Sequence, residues 1–298
     1  MLTQILRDNP EVAKALASLV DLSTVEATPL PIQAPPMTDH YALVGTAFDY
    51  FVRWELERRN PMAKDRDWVA TTAVRDILPG MVASKLCPGD VALTYRRIVE
   101  NALDFHAMWV ADRRFGNMPR PKVEAAAKLV LGLAKIDPLF RTGTLDPDAN
   151  VFDRPDVTDL VNLYETAPWE QLGGVPNVPL LLNPDFGRWS ERLLGADADL
   201  VVDRTLVDLK TSKYHDITKH LAQLVGYYAL GELYRGDNPD YPVVESAGIY
   251  WCRHGYLETF PTIHVHEHPH YDDAVELLLS TADRVVADVM KRKKGVVA

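Results

Sequence analysis

Two aspartates and a lysine lie close together in the segment 195–212, in which two short runs of apolar and β-branched residues flank a polar centre. The pattern predicts two antiparallel strands joined by a turn at Arg204 and Thr205. Directly opposed residues of such a pair share a face, and successive residues of a strand alternate between faces. Asp199, Asp208 and Lys210 are therefore predicted to project from one face, with Asp199 opposite Lys210.

The opposite face of this predicted hairpin is wholly apolar, so we predict that it packs on the core. Its residues are Leu200, Val202, Val207 and Leu209. A loop two residues longer would preserve this separation of faces, whereas a one-residue bulge would not.

The polar face gathers two carboxylates and one ammonium, a combination suited to a divalent cation. A single lysine cannot neutralise both aspartates. Mg²⁺ and Mn²⁺ take one or two carboxylates as ligands and complete their coordination with water and substrate phosphate. Such a cation polarises a phosphoryl oxygen and acidifies bound water, while a lysine can orient the water or stabilise developing charge. The structural alternative is a surface hairpin held by salt bridges.

A helix predicted over 217–234 adds polar side chains in line. Gln223 and Tyr227 stand four residues apart and share a helix face, as do Lys219 and Gln223. These groups could contact a phosphate backbone or support the lysine of the hairpin. The alternative is an ordinary amphipathic helix with incidental polar residues.

Together these residues resemble the PD-(D/E)XK nuclease superfamily, and within it the RecB-like exonuclease branch. That branch carries G-x-x-x-D, then D-x-K-T, then a helix with Q-x-x-x-Y. The matching residues here, over about 180–260, are Gly195 and Asp199, then Asp208, Lys210 and Thr211, then Gln223 and Tyr227. The resemblance implies a restriction-endonuclease-like core, a central mixed β-sheet flanked by helices, with Mg²⁺ or Mn²⁺ at the hairpin. It also implies hydrolysis of DNA phosphodiester bonds, and both exonuclease and endonuclease action fit these residues.

The resemblance also bears on a third metal ligand. RecB-like enzymes usually carry a histidine four residues after a glycine on an earlier helix, and here Gly45 is followed at that spacing by Asp49. Asp49 would then join Asp199 and Asp208 as an oxygen ligand; otherwise it is an acid on a helix surface. The literal Pro184-Asp185 dipeptide lies well before the hairpin and is common in turns, so we prefer Asp199.

Some relatives in this branch hold an iron–sulfur cluster, which needs four cysteine ligands. This sequence has only Cys87 and Cys252, far apart and in no C-x-x-C pair. We therefore expect no iron–sulfur cluster and two reduced thiols.

The surrounding elements are predicted to form an α/β protein with a mostly helical N-terminal half. The helices are predicted at 1–20, 45–59, 66–84, 90–115, 121–137, 156–166, 217–234 and 271–293, and a proline-rich surface connector at 24–38. The strands are predicted in the runs VPLLL, ADLVV, TLVDL and AGIYW. No Pro/Ser/Gly-rich linker divides the chain, so we expect one compact unit, 1–298, with a helical half (1–170) packed on an α/β catalytic core (171–298).

Composition limits the class of protein. The 298 residues are 47% hydrophobic and 25% charged, which is typical of a globular chain, and no run of 18 apolar residues occurs. Arg7, Asp8 and Glu11 interrupt the N-terminal stretch where an export signal needs an apolar core, so we expect a cytoplasmic protein without a membrane partner. The net charge of -10 argues against a broad basic surface for DNA, without excluding a local groove, and it argues for a non-catalytic relative. For an acidic nuclease, a protein partner that delivers the substrate is one option.

Two other functions remain alternatives. One is a catalytically inactive nuclease-fold protein that binds nucleic acid or a protein partner. The other is a metal hydrolase built on the alternating histidines His264, His266, His268 and His270. On a strand, the first three would share a face, although an exposed edge strand without metal is the simpler interpretation.

Overall fold

Helices make up most of the N-terminal half of the chain in the computed structural model, which describes residues 2–21, 30–114 and 116–296. The helices of this half are α1 (Leu2–Asp8), α2 (Pro10–Ala17), α3 (Tyr41–Arg59), α4 (Val69–Thr72), α5 (Leu78–Ala83), α6 (Gly89–Ala111), α7 (Arg120–Thr142) and α8 (Arg154–Thr166), with a π-helical segment, Ala73–Ile77, between α4 and α5. Later in the chain come α9 (Arg188–Arg192), α10 (Leu221–Asp237), α11 (Ile263–His266) and α12 (Tyr271–Val296).

Six strands form one mixed sheet, in the order of the chain. They are β1 (Ala63–Lys64), β2 (Leu180–Leu182), β3 (Leu200–Val202), β4 (Thr205–Lys210), β5 (Ser246–Trp251) and β6 (Tyr256–Pro261). The pairs β1–β2 and β4–β5 are parallel and the other three are antiparallel. The predicted hairpin is β3–β4, and it lies at the centre of the sheet.

Both faces of the central strands β3 and β4 are largely buried, because helices cover each of them. Leu200 and Val207 pack in the core formed with α3, α6, α7 and α8. Val201 and Leu206, which point the other way, pack in a second core with α1, α2, α10 and α12. The face predicted to be apolar therefore packs on a core, as predicted. The opposite face of the hairpin also packs on a core, and its polar residues lie at the start of β3 and the end of β4.

The register of the hairpin differs from the prediction by two residues. Val202 pairs with Thr205, so the turn is Asp203 and Arg204 rather than Arg204 and Thr205. A two-residue hairpin turn favours positive φ at its first position, and Asp203 adopts a φ of 53° there. The shift by two preserves the predicted faces, but it places Asp199, rather than Val201, opposite Asp208.

Prolines account for two further differences from the predicted helices. The predicted helix 1–20 is two helices, because Pro10 lacks an N–H and Asn9 before it has an extended φ of -132°. In contrast, the helix predicted to end near Asp137 continues through Pro138 as α7. It stops at Gly143, whose φ of 73° is the left-handed conformation typical of helix C-termini.

The region after β5 also differs from the prediction. β6 was not predicted from the sequence, and neither was the two-residue β1. The histidine run does not form a strand: residues 263–266 form the short helix α11, in which Val265 is buried and His264 and His266 are exposed.

The described part of the predicted connector, 30–38, has neither helix nor strand and is mostly exposed, while 24–29 lies outside the described residues. The backbone N–H groups of Gln33 and Ala34 both donate to the Arg253 carbonyl, and Ala34 is fully buried. Among the described residues, no helix combines the length and apolar character that a bilayer crossing requires.

Candidate active site

The predicted hairpin residues meet at one end of the sheet, where β3 begins and β4 ends. Asp199 immediately precedes β3, and its Oδ2 accepts the backbone N–H of Leu209 at 2.5 Å. Asp208 is 3% exposed, and its Oδ2 lies 2.6 Å from Nζ of Lys210. The strand pair therefore holds two carboxylates and an ammonium beside each other, as the alternation of faces predicts.

A row of polar contacts links this strand end to α10. Lys210 Nζ donates to Oε1 of Gln223 at 3.1 Å, and Nε2 of Gln223 donates to the hydroxyl of Tyr227 at 3.0 Å. The predicted row does not extend to Lys219, which belongs to a 3₁₀ turn before α10 and pairs with Asp216 at 3.1 Å. Gln223 and Tyr227 thus hold the lysine rather than lying apart from it.

Asp49 reaches the same place from α3. It lines, together with Asp199, a cavity of about 310 Å³ whose wall also includes Thr211 and Tyr227. A Cβ atom on Gly45 would lie 3.0 Å from Oγ1 of Thr211, so the lack of a side chain there allows α3 to approach the end of β4 closely.

The electrostatics of this cluster are those of crowded carboxylates. Burial, together with the charges of Asp208 and Asp49, raises the pKa of Asp199 well above its usual range. Burial also raises the pKa of Asp49, although Arg53 opposes the shift. Burial alone would lower the pKa of Lys210, but the Asp208 and Asp199 carboxylates outweigh it and raise that pKa. The carboxylates of the cluster therefore favour the charged form of Lys210.

The cavity contains groups that the sequence did not single out. Asp137 lines it from α7 and accepts a hydrogen bond from the Tyr50 hydroxyl at 2.6 Å. Burial raises the pKa of Asp137 to about 6, against the opposing effects of Tyr50 and Arg141. Arg53 also lines the cavity, but its guanidinium is bound by Asp65 at 2.9 Å. The sequence analysis used the Asp137-Pro138 dipeptide only to predict a helix end, and so it did not identify Asp137 as a buried carboxylate of the cavity.

The alternative aspartate, Asp185, is engaged elsewhere. Its Oδ1 accepts the Gly187 N–H at 3.0 Å, and its Oδ2 lies 3.3 Å from Arg66. The same arginine donates to Asp197 at 2.7 Å. Asp197 lines the cavity but Asp185 does not.

The donor set suits a divalent cation, although the three predicted ligands are not gathered around one point. Buried Oδ2 of Asp208 has no aligned hydrogen bond, since its contact with Lys210 is an ion pair without hydrogen-bond geometry. Oxygen ligands of this kind are those that Mg²⁺ and Mn²⁺ prefer. However, the ligand atoms of Asp49, Asp199 and Asp208 do not all lie within 4.8 Å of one another.

Among the described residues, the group of three that does meet this distance lies at the starts of α3 and α8: His40, Asp153 and Asp156. Nδ1 of His40 lies 3.0 Å from Oδ2 of Asp156 and 4.0 Å from Asp153. The hydrogen bond and charge of Asp156 raise the pKa of His40. A raised pKa favours the imidazolium, which forms an ion pair with Asp156; a metal would instead bind the neutral imidazole.

The other predicted candidates lie away from the cavity. His264, His266 and His270 are exposed, and no described group of three ligands includes any of the four histidines of the run. Cys87 and Cys252 are both buried free thiols.

No protein-family model, curated protein or solved structure matches this chain. The architecture is that of an α/β protein with a mostly helical N-terminal half, followed by a six-stranded mixed sheet with interleaved helices. A proposal about function therefore starts from the side chains at the cavity.

Proposed function

We propose that the protein is a metal-dependent nuclease that hydrolyses DNA phosphodiester bonds. The observation that carries the proposal is the meeting of Asp49 and Asp199 in one cavity, next to the Asp208–Lys210 pair. Three carboxylates lie near one ammonium and a guanidinium, Arg53, which Asp49 shares with Asp65. Burial, together with repulsion from the charges of the neighbouring carboxylates, raises the pKa of Asp199. A divalent cation relieves such repulsion better than any single side chain.

Each residue then has a distinct role. Asp49, Asp199 and Asp208 would hold Mg²⁺ or Mn²⁺, which supplies Lewis-acid polarisation of the phosphoryl oxygen and acidifies water. Lys210 keeps its proton, because its carboxylate neighbours raise its pKa, and its ammonium stabilises negative charge that develops on the phosphate. Gln223 fixes the lysine head at 3.1 Å, and Tyr227 fixes the amide of Gln223.

The finer fold assignment belongs to the same proposal. A mixed sheet between helical layers, with the polar hairpin at its centre, is compatible with a restriction-endonuclease-like core of the PD-(D/E)XK, RecB-like kind. Because Gly45 approaches Thr211, the segment of α3 that contains Gly45 and Asp49 lies next to the D-x-K-T segment at the end of β4. Because a net charge of -10 does not attract DNA to the protein, the proposal includes a protein partner that delivers the DNA. It also includes a cytoplasmic location for the enzyme.

One observation favours the second candidate function, a catalytically inactive nuclease-fold protein that binds nucleic acid or a protein partner. The three carboxylates are not gathered within 4.8 Å, and Asp208 faces Lys210 instead. A protein that has lost catalysis could keep this internal ion pair for stability alone.

Replacing Lys210 with alanine separates the two functions. We expect Lys210→Ala to bind Mn²⁺ but to cleave DNA about 100- to 1,000-fold more slowly, because one preorganised donor to the transition state is lost. The assay is cleavage of linear and circular DNA by chelated protein to which Mn²⁺ is returned. The control is Lys213→Ala, since Lys213 is exposed and lies beyond β4.

The choice of aspartate is tested in parallel by calorimetric titration with Mn²⁺. Asp199→Ala should lose affinity, whereas Asp185→Ala should not. Equal cleavage by wild type and Lys210→Ala would refute the mechanism. Absence of cleavage of DNA or RNA by wild type with any divalent metal would favour the inactive candidate.

A further inference from the structure

A second cavity adjoins the candidate active site and shares part of its wall. It has a volume of about 340 Å³ and lies between α3 and α7. Thr46, Asp137 and Arg141 line both cavities. The two spaces are therefore adjacent, with these three side chains at the boundary between them.

The walls of the second cavity differ in chemistry from those of the first. Ala42, Leu43 and Leu145 supply apolar surface, whereas four aspartates line the first cavity. The charged residues Lys135 and Asp146 also line the second cavity, but they pair with each other at 3.7 Å. Its volume lies at the lower end of the range for small-molecule sites, which combine apolar walls with a few polar groups. Such a space suits a flat heterocycle better than a charged group.

Arg141 is the cation at the junction between them. Its side chain is 65% exposed, and the ion pair that the structure describes for it, with Asp137, is long at 3.7 Å. The Asp137 carboxylate is bound more closely by the Tyr50 hydroxyl, at 2.6 Å. The guanidinium therefore retains donors for an anion, and guanidinium groups match phosphate geometry well.

We propose that the second cavity binds the nucleobase of an unpaired nucleotide next to the scissile phosphate, with Arg141 contacting the phosphate between the two cavities. This inference rests on the proposed nuclease function and deepens it by naming the substrate class. A base can enter the cavity only when it is unpaired and unstacked, and base pairing and stacking in duplex DNA oppose this. Single strands and single-stranded ends are therefore the preferred substrates.

Two substitutions test this subsite from different sides. Arg141→Gln removes the cation, and Ala42→Leu fills the apolar cavity from an exposed position on α3. Wild type and variants are compared on a single-stranded 12-mer and on ethyl p-nitrophenyl phosphate, a small diester that has no base and whose one ring is the leaving group. We expect the ratio of kcat/KM for the 12-mer to that for the small diester to fall about tenfold in Arg141→Gln, the loss typical of one charge-assisted contact. A fall of about the same size is expected in Ala42→Leu, because the base no longer fits the filled cavity.

The matched controls are Arg97→Gln and Ala107→Leu, both at exposed positions of α6; neither should change the ratio. Binding of the labelled 12-mer in Ca²⁺, followed by fluorescence anisotropy, gives a readout without turnover and should weaken about tenfold in the two test variants only.

The outcomes separate the two proposals. Unchanged ratios and unchanged anisotropy in Arg141→Gln and Ala42→Leu would overturn the subsite while leaving the nuclease intact. Failure of wild type to hydrolyse either compound would overturn the nuclease. In that case the anisotropy alone decides whether the cavity binds an unpaired nucleotide, and equal affinities for the single strand and its blunt duplex would count against it.

Discussion

Buried charges in this protein occur in two regions that handle them in opposite ways. Around Arg253, every charge is matched within the chain. Arg253 and Asp159 are both fully buried and form two hydrogen bonds, at 2.7 and 3.0 Å. The same guanidinium also donates to the carbonyls of Thr211, at 2.7 Å, and Ala34, at 3.1 Å. We call these residues the Arg253 network.

At the candidate active site, the charges do not balance. Asp49, Asp199 and Asp208 lie near one ammonium, that of Lys210, and one guanidinium, that of Arg53. The guanidinium lies 3.7 Å from Asp49 but is shared with Asp65, which binds it more closely, at 2.8 Å. The pKa of Asp199 is raised accordingly, by burial and by its carboxylate neighbours. A buried charge that serves stability is usually paired with an opposite charge of the same chain. Under the proposed function, a divalent cation from solution balances the excess carboxylates here.

The largest expected effect is a loss of stability in the Arg253 network. Asp159→Asn keeps the shape of the side chain but leaves the Arg253 guanidinium buried without a counter-charge. Removing one partner of a buried pair costs about 3–5 kcal/mol. We expect that decrease in the free energy of unfolding, measured by urea denaturation.

The control for this experiment is Asp67→Asn on the surface. Asp67 pairs with Arg75 at 2.9 Å, and both side chains are more than half exposed. Exposed pairs contribute about 0–1 kcal/mol. A loss in Asp159→Asn no larger than that in Asp67→Asn would show that the two regions do not differ as described.

The second expected effect is a gain in stability, smaller than the loss above, when Asp199 is replaced by asparagine. The raised pKa of Asp199 means that the unfolded chain ionises first as the pH rises. Stability is therefore lost from about pH 3.9 upwards, until the folded pKa is passed. Asp199→Asn lacks this penalty, so at pH 7 without metal its Tm should exceed that of wild type by a few degrees, the shift that about 1 kcal/mol produces in a chain of this size.

Added Mn²⁺ should reverse this order, because only wild type keeps the carboxylate that binds the cation. Differential scanning fluorimetry between pH 4 and 8, with and without Mn²⁺, measures both parts. Asp185→Asn is the control and should respond to Mn²⁺ as wild type does. A lower Tm for metal-free Asp199→Asn at pH 7 would mean that the carboxylate stabilises the fold by itself.

The sequence predicts part of the candidate active site but not the Arg253 network. The alternation of residues in the hairpin predicts the common face of Asp199, Asp208 and Lys210, because a strand has a period of two. It does not predict the register, which depends on the positive φ of Asp203. The four-residue spacing within α10 likewise indicates that Gln223 and Tyr227 are neighbours, as observed.

What the sequence did not predict depends on distant segments meeting in space. Asp137 and Tyr50 are 87 residues apart, and Asp159 and Arg253 are 94 apart. No local period connects such pairs. The histidine run shows a related difficulty: one buried residue, Val265, between exposed neighbours fits either a strand or a single helical turn.

The smallest effect concerns His40, whose surroundings combine features of both regions. Like the active site, it has an excess of acids: Asp39 at 3.8 Å, Asp153 at 4.0 Å and Asp156 at 3.0 Å. Like the Arg253 network, it provides an internal cation when protonated. Its raised pKa means that this stabilisation is complete below about pH 6.5 and is lost as the pH rises through the folded pKa.

We therefore expect His40→Gln to lower the Tm slightly at pH 5.5 and by less as the pH rises towards 9, because wild-type His40 loses its charge as the pH passes through its folded pKa. The loss should be small, since exposed ion pairs contribute little and the His40 side chain is 47% exposed. Thermal denaturation of both proteins across this range measures it. His270→Gln is the matched control, because the ion pair that the structure describes for His270 is with exposed Asp273, at 3.5 Å, and its loss should change the Tm less. If Zn²⁺ or Mn²⁺ instead stabilises wild type at pH 9 and fails to stabilise His40→Gln, the three ligands bind a metal and belong with the unmatched charges of the active site.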